Sequence, residues 1–389
     1  MQDRLLFDRL RATQRSVLLL GPRQVGKTTI CRSLQPRRSI NLADEGEFLR
    51  YSKEPARLRR ELAAVEGGGT IFIDEVQRVP AVLNMVQVAL DEPGNRFRFL
   101  LAGSSARKLR RGGVNLLPGR VILEYLDPLT CFELPRALDL SWALQVGMLP
   151  GIHLGESDAV PILGTYAEVY LREEIRAEAL TRDLGAYARF LDVAAILSGQ
   201  WLNYTKISSE TEVPKETIRR YVSLLEDTLL IFRVPSFRPR ARLCRRVSQR
   251  DKFFLFDVGV RNAILGMHDR PVTTDRSGPL FEQWLTLQVI YLDRAMKKGW
   301  KISTYRTEHG AEVDLVVERR SDIVGIEIKA SRNVGRSDLR GLSSLAEAVG
   351  RSRPLRRRIA YLGESRQLLE GDVEVLPFLD LLESLRDDE

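Results

Sequence analysis

The chain has 389 residues, 44% of them hydrophobic, enough for roughly two to four domains with packed cores. Lys plus Arg number 60 against 52 Asp plus Glu, and the net charge of +8 suits a polyanion partner wherever it clusters. Three cysteines without paired spacing and three scattered histidines argue against a disulfide framework, a zinc site and a His-based metal centre. The opening stretch MQDRLLFDRLRATQ is charged throughout and has no signal-peptide core. No stretch approaches the roughly 20 apolar residues of a membrane span, so a cytoplasmic protein with no membrane partner is expected.

The first predicted element with chemistry is the apolar strand Val17 to Leu20, followed by Gly21-Pro22-Arg23-Gln24-Val25-Gly26-Lys27-Thr28-Thr29. Glycines let such a loop curl until its N–H groups point at phosphate oxygens. Lys27 then reaches the β- and γ-phosphates, the Thr28 hydroxyl ligates Mg²⁺, and a helix begins with its positive end toward the anion. An accidental Gly-rich turn is the bland alternative, and the strand before and helix after count against it. ATP and Mg²⁺ are therefore the expected cofactors.

A second apolar run, Thr70 to Ile73, ends in Asp74-Glu75, at the strand end where open α/β sheets bind ligands. Asp74 is expected to hold Mg²⁺, mostly through water, and Glu75 to polarise the attacking water. A third strand, RFRFLLAGSS, ends in Ser104-Ser105; Ser104 is a candidate γ-phosphate sensor, with a helix N-cap as the equal alternative. Arg107, Lys108, Arg110, Arg111 and Arg120 follow, and Arg120, after a Pro-Gly turn, is the first choice for an arginine finger acting across a subunit interface. VILEYLDPLTCFEL supplies a further strand. The alternation over residues 1–135 predicts a three-layer α/β domain.

Residues 136–200 read as a helical lid or connector ending at Gly199. In 201–250, a short helix from Tyr204 to Glu210, a turn, Pro214 at the start of a second helix and the strand LLIFRVPSF follow the order of a winged helix-turn-helix. Ile218, Tyr221, Val222 and Leu225 make the buried stripe, leaving Lys215, Arg219 and Arg220 to face elsewhere. The segment from Arg233 to Lys252 carries Arg233, Arg238, Arg240, Arg242, Arg245, Arg246 and Arg250, with Asp251 its only acid, which fits contact with DNA phosphates. A protein-contact module and a solvated basic loop are the respective alternatives.

The last part, 251–389, contains EVDLVVERRSDIVGIEIKA from Glu312 to Ala330. As a hairpin with its loop at Arg319 to Asp322, it places Asp314 opposite Glu327 and Glu312 opposite Lys329, with facing Cβ atoms roughly 4.5–5.5 Å apart. Val313, Leu315, Val317, Val324, Ile326 and Ile328 fall on the other face. Facing carboxylates need a raised pKa, an arginine or a cation, and hard oxygen ligands suit Mg²⁺ or Mn²⁺. Glu282, on a preceding amphipathic helix, is a further candidate ligand, and Lys329 a candidate for stabilising charge on a phosphate or deprotonating a metal-bound water. Alternatively, Arg306 or His309 relieves the repulsion and Glu312–Lys329 is an ordinary ion pair.

The arrangement of Asp, a gap and Glu-x-Lys across a hairpin, after a helix carrying Glu, resembles the PD-(D/E)xK restriction-endonuclease-like fold, although Val313 stands where that family has proline. The chain as a whole resembles a prokaryotic family of predicted AAA+ superfamily ATPases, through GPRQVGKTT, IFIDEVQR, LAGSSARKL, YVSLLEDTLLI, FFLFDVGVRNAILG, GPLFEQW and EVDLVVE…IEIKAS. The resemblance implies a P-loop AAA+ domain, a helical/winged-helix middle and an α/β restriction-endonuclease-like C-terminal domain. The expected function is a Mg-dependent, DNA-binding ATPase that forms a homo-oligomer, a hexamer being one form, and remodels or processes DNA in repair or recombination, with nuclease activity left open. The alternatives are an ATP-driven regulatory switch with scaffold domains and a defence-type nuclease gated by ATP.

Overall fold

The computed structural model describes residues 4–104, 117–155, 158–170, 183–239, 250–351 and 353–388. The chain divides into two compact units. The first comprises Met1–Pro135 with Leu149–Gly155 and Ser223–Leu230; the second comprises Arg136–Met148, Glu156–Val222 and Ile231–Glu389.

The first unit is built on a five-stranded parallel sheet. Its strands are β1 (Ser16–Leu20), β2 (Arg38–Asn41), β3 (Gly69–Asp74), β4 (Phe97–Gly103) and β5 (Val121–Tyr125), in the order β2-β3-β4-β1-β5. Parallel neighbours need crossovers, and the segments between strands supply α1 (Lys27–Ser33), α2 (Glu45–Lys53), α3 (Arg57–Ala63) and α4 (Ala81–Asp91). Leu18, Leu20, Ile71, Ile73, Phe99 and Leu101 alternate along their strands into one core with Val82, Leu83 and Val86 of α4. The intervening Val17, Leu19, Phe72, Leu100 and Ala102 are also buried. Both faces of the sheet are therefore covered, which is why β1, β3 and the Phe99–Ala102 part of β4 read as apolar runs. The chain leaves β1 toward the β2 edge and leaves β4 toward β5. The reversal of strand order beside β1 is where such sheets open a ligand crevice at their C-terminal ends.

The second unit begins with helices α5 (Leu140–Val146) and α6 (Leu184–Ile196). Then come α7 (Tyr204–Thr211), a turn, and α8 (Lys215–Asp227), whose residues from Ser223 on are counted with the first unit. The sequence pattern foretold this pair closely: Ile218, Tyr221 and Val222 are buried while Lys215, Arg219 and Arg220 are exposed. Tyr221 packs edge-on against Tyr187, with ring centroids 4.8 Å apart. A two-stranded antiparallel ribbon follows, β6 (Ile231–Val234) with β7 (Lys252–Leu255). Lys252, read above as the end of a basic loop, is instead the first residue of β7 and is buried. Beyond it, Asp257 caps α9 (Val258–Ile264) by accepting the Val260 N–H, and it also accepts the Met148 N–H at 2.7 Å. A Cβ on Gly147 would come within 1.9 Å of that carboxylate, so glycine is required there.

The long helix α10 (Thr274–Met296) leads into a six-stranded sheet. Its strands are β8 (Lys301–Arg306), β9 (Glu312–Glu318), β10 (Ile323–Lys329), β11 (Leu355–Tyr361), β12 (Gln367–Leu369) and β13 (Val373–Pro377), in the order β12-β13-β11-β10-β9-β8. β8, β9 and β10 form an antiparallel meander. α11 (Arg340–Val349) then carries the chain over to β11, parallel to β10, and α12 (Phe378–Asp387) ends the unit. Ser303 pairs with Val316 but Tyr305 pairs with Val313, so two residues of β9, Asp314 and Leu315, oppose the single Thr304. This β-bulge reverses the alternation of β9. Val313 consequently joins the same core as Val316, rather than sharing a face with Leu315 and Val317 as strict alternation predicted. Among the described residues no helix is long and apolar enough to cross a membrane.

Candidate active site

The loop after β1 lies at the crevice end of the first sheet. Gln24 and Gly26 both have positive φ, 62° and 91°, the curl that turns successive N–H groups inward. A Cβ on Gly21 would sit 2.2 Å from the Leu126 carbonyl oxygen, so only glycine lets this loop pass. Val25 is fully buried beneath it, and its carbonyl accepts a hydrogen bond from Arg4 at 3.0 Å. Arg4 is itself buried and paired with Glu133 at 3.0 Å, and it also reaches the Asp127 carbonyl at 2.7 Å. This clamp under the loop joins residues about 130 positions apart, and no local pattern announces it.

Lys27 opens α1 with its ammonium buried, donating to the carbonyls of Gly21 at 2.8 Å and Pro22 at 2.6 Å. Thr28 donates its hydroxyl to Asp74 Oδ2 at 2.5 Å, and Thr29 lies in the same first turn. Burial raises the Asp74 carboxyl above its usual range, against the lowering effect of the Thr28 hydrogen bond. Glu75 takes a left-handed backbone, φ 54°, and its N–H donates back to Asp74 Oδ1 at 3.0 Å. The buried Gln77 amide then donates to both the Glu75 carboxylate and Ser104 Oγ, the latter at 3.0 Å. Gln77 was not singled out in the sequence, although it stands two residues beyond Glu75 in DEVQR and its side chain links the ends of β3 and β4.

Lys27, Thr28, Asp74, Glu75 and Ser104 thus converge at the C-terminal ends of three adjacent strands. Their donor set fits a magnesium–triphosphate: a curled backbone cradle, a buried ammonium, and a hydroxyl–carboxylate pair suited to a hard cation. Arg23 lies in the same loop. Arg120 does not join them. It precedes β5, whose first residue Val121 pairs with Ser16, at the sheet end remote from the loop, and it holds Asp91 through two hydrogen bonds of 2.6 and 2.8 Å. Ser105, Arg107, Lys108, Arg110 and Arg111 lie outside the described residues, as do Arg240, Arg242, Arg245 and Arg246.

The acidic hairpin of the second unit departs from its expected geometry. The β9–β10 ladder has the foreseen register through Leu315↔Ile326, but pairing stops there. Beyond it each strand follows its outer neighbour, Glu312 pairing with Arg306 of β8 and Lys329 with Tyr361 of β11. Asp314 and Glu327 are therefore not a cross-strand pair; Asp314 Oδ2 accepts the Ile328 N–H at 2.8 Å. Nor do Glu312 and Lys329 pair. Lys329 binds Glu327 at 2.9 Å and Asp338 at 3.3 Å. Glu312 binds Lys252 at 2.8 Å, and the same ammonium lies 2.8 Å from Glu282 and 3.8 Å from Asp314. Burial, then the charges of Glu282 and Glu327, push the Asp314 carboxyl well up, with Lys252 opposing. Burial also raises Glu327, against Lys329. Burial alone would lower Lys252, but the carboxylates of Glu282, Asp314 and Glu312 outweigh it and hold the ammonium above its ordinary range. Among the described residues no group of three or more His, Cys, Asp or Glu side chains is arranged to hold a metal ion. The set Glu282, Asp314 and Glu327 does not fit Mg²⁺ or Mn²⁺ in this arrangement, because a lysine stands among its oxygens.

Residues 13–134 match the family model described as AAA domain. The first unit carries an AAA-type P-loop domain. Residues 138–270 and 277–381 match two domains of unknown function, DUF8612 and DUF4143. The uncharacterized proteins Rv2008c of Mycobacterium tuberculosis and Mb2031c of Mycobacterium bovis are each 29% identical over 368 residues, covering 93% of this chain and 79% of theirs. Among solved structures, a Signal Transduction ATPase with Numerous Domains (STAND) protein with a tetratricopeptide repeat sensor, from Pyrococcus horikoshii, aligns with a TM-score of 0.24 and 13% identity. That alignment covers 74% of this chain and 46% of the solved one.

Proposed function

We propose that the chain is a Mg-dependent ATPase whose nucleotide cycle acts on DNA held by the second unit. The observation that carries the ATPase reading is the convergence of Lys27, Thr28, Asp74, Glu75 and Ser104 at the ends of β1, β3 and β4. Lys27 would neutralise the β- and γ-phosphates. Thr28 and Asp74 would hold the Mg²⁺, which offsets charge on the transferred phosphoryl group. Glu75 would take a proton from the attacking water. A homo-oligomer, with Arg120 approaching a neighbour's nucleotide, belongs to the same proposal.

The DNA part of the reading is supported by α7, its turn, α8 and the β6–β7 ribbon, the element order of a winged helix, with Lys215, Arg219 and Arg220 exposed on α8. The C-terminal part supports a restriction-endonuclease-like domain through α10 with Glu282, the β8–β10 meander and the α11 crossover to parallel β11. A regulatory switch with scaffold domains is the second reading, and the lysine inside the acidic cluster favours it over DNA cutting.

The test is incubation with Mg²⁺, ATP and linear, forked or four-way DNA, scoring ATP turnover and strand breaks together. DNA-stimulated turnover without breaks is expected, with binding that weakens steeply as salt rises. Turnover indifferent to every DNA would leave the switch reading, and absence of turnover would remove the ATPase.

A further inference from the structure

We propose that Lys252 is a built-in counter-cation that fills the acidic centre of the C-terminal sheet and keeps divalent metal out of it. The inference goes beyond the ATPase reading and does not depend on it. The ammonium is held by carboxylates from two separate elements, Glu282 of α10 and Glu312 of β9, each at 2.8 Å, with Asp314 at 3.8 Å. Its side chain is only 4% exposed, so this is an enclosed position and not a surface pairing.

Neighbouring structure fixes the lysine there. β7 starts at Lys252, pairs with Val234 of β6 on one side, and makes an isolated bridge to Trp201 on the other. The Trp201 ring lies 5.4 Å from the ammonium, within reach of a cation–π contact. A divalent ion bound by the same oxygens must approach them to roughly 2.0–2.6 Å. It cannot do so while the ammonium remains in hydrogen-bond contact with two of them.

The charges around the centre explain why the lysine matters. Glu282, Glu312, Asp314 and Glu327 face it from α10, β9 and β10, and Asp338 adds a fifth carboxylate beside Lys329. Against them stand Lys252, Lys329 and, at 3.9 Å from Glu312, Arg306. Among the described residues the carboxylates outnumber the cations even so, and Glu327 Oε2 is buried there without a hydrogen-bond partner. Removing Lys252 deepens this imbalance and vacates the space between Glu282, Glu312 and Asp314. A cation is then the cheapest remedy, and hard oxygen donors select a hard one.

The test is Mn²⁺ titration of nucleotide-free full-length protein, followed by the electron paramagnetic resonance signal of the free ion. Wild type and Lys252→Gln are each compared with and without Asp314→Asn, so that binding elsewhere cancels. Wild type is expected to show no Asp314-dependent site. Lys252→Gln is expected to gain one, binding Mn²⁺ about tenfold or more tighter than Lys252→Gln/Asp314→Asn, because a unit positive charge roughly 4 Å away no longer competes for the same carboxylates. Thermal melting gives a second readout: Lys252→Gln melts below wild type and Mn²⁺ restores it, while wild type does not shift. If the variant is unfolded without metal, Mn²⁺ is expected to refold it. An Asp314-dependent site in wild type would overturn the proposal. So would a folded Lys252→Gln that takes up no Mn²⁺, or an unfolded one that Mn²⁺ fails to rescue.

Discussion

Gln77→Leu separates the chemistry of the P-loop site from its architecture. The leucine keeps approximate volume but removes two donors, one aimed at the Glu75 carboxylate and one at Ser104 Oγ. It also removes Gln77 Oε1, a buried acceptor with no hydrogen-bond partner among the described residues. Losing the two hydrogen bonds costs about 2–4 kcal/mol, while deleting the unsatisfied oxygen returns about 1–3 kcal/mol, so net stability changes by about 1 kcal/mol. The kinetic effect is not offset in this way. A hydrogen bond to a charged group is worth about 1.5–3 kcal/mol, so a Glu75 released from its orientation is expected to lower kcat about 10- to 100-fold. Gln77 donates to Glu75 and Ser104 rather than to the loop or Lys27, so KM for Mg-ATP is expected to change far less than kcat. The assay is steady-state hydrolysis at saturating Mg-ATP beside a thermal melt. In a Glu75→Gln background, Gln77→Leu is expected to add almost nothing, because both act through one group. An unchanged kcat, or an undiminished fall in the Glu75→Gln background, would refute the positioning role.

Lys27→Ala removes a buried ammonium from the phosphate cradle and is expected to weaken ATP binding about 100-fold or more, with a smaller effect on AMP, measured by displacement of a fluorescent nucleotide. Arg120→Ala is expected to lower turnover only under conditions where the protein self-associates, whereas Asp91→Ala, which frees the same arginine, is expected to spare it; turnover against protein concentration checks both. Burial pushes the Asp257 carboxyl up to about 6 from an ordinary 3.8. The folded state therefore holds that proton more tightly than the unfolded chain, and the stabilisation is full below the unfolded value and disappears as pH rises through about 6. Asp257→Asn cannot titrate, so the stability gap between wild type and variant in urea unfolding is expected to shrink by about 2 kcal/mol from pH 4.5 to 7.5. A gap independent of pH would show that Asp257 stays ionised throughout.

Much of the first unit was legible because its signals are local. β1, β3 and the Phe99–Ala102 part of β4 are apolar runs bounded by glycine or acid, and the loop residues that must curl sit next to the lysine and threonine they serve. α7 and α8 were readable for the same reason: Pro214 marks the start of the second helix, and a single stripe decides which of its faces is buried. The illegible parts depend on distance in sequence. Arg4 reaches Glu133 across the whole unit, and Gln77 acquires meaning only when β4 brings Ser104 beside it.

The acidic hairpin failed for a different reason: the expectation was a calculation from ideal alternation. Counting inward from the turn is sound only while the ladder continues, and the four pairs from Ile323↔Glu318 to Ile326↔Leu315 obey it. The bulge opposite Thr304 inserts one residue at the position where the carboxylates begin. From there β9 belongs to β8 and β10 to β11; Asp314 and Glu327 still repel each other, but Asp314 is held by the Ile328 N–H and Glu327 by Lys329. A one-residue change in register moves every side chain beyond it to the other face, so the hydrophobic pattern that fixes the middle of the hairpin cannot constrain its open end. The cation that offsets part of the repulsion then comes from β7, 60 residues before Glu312 and outside the hairpin altogether. Facing carboxylates in a sequence therefore identify a charge that needs compensation, but whether a metal or an ammonium supplies it is decided by a strand that no count along the hairpin includes.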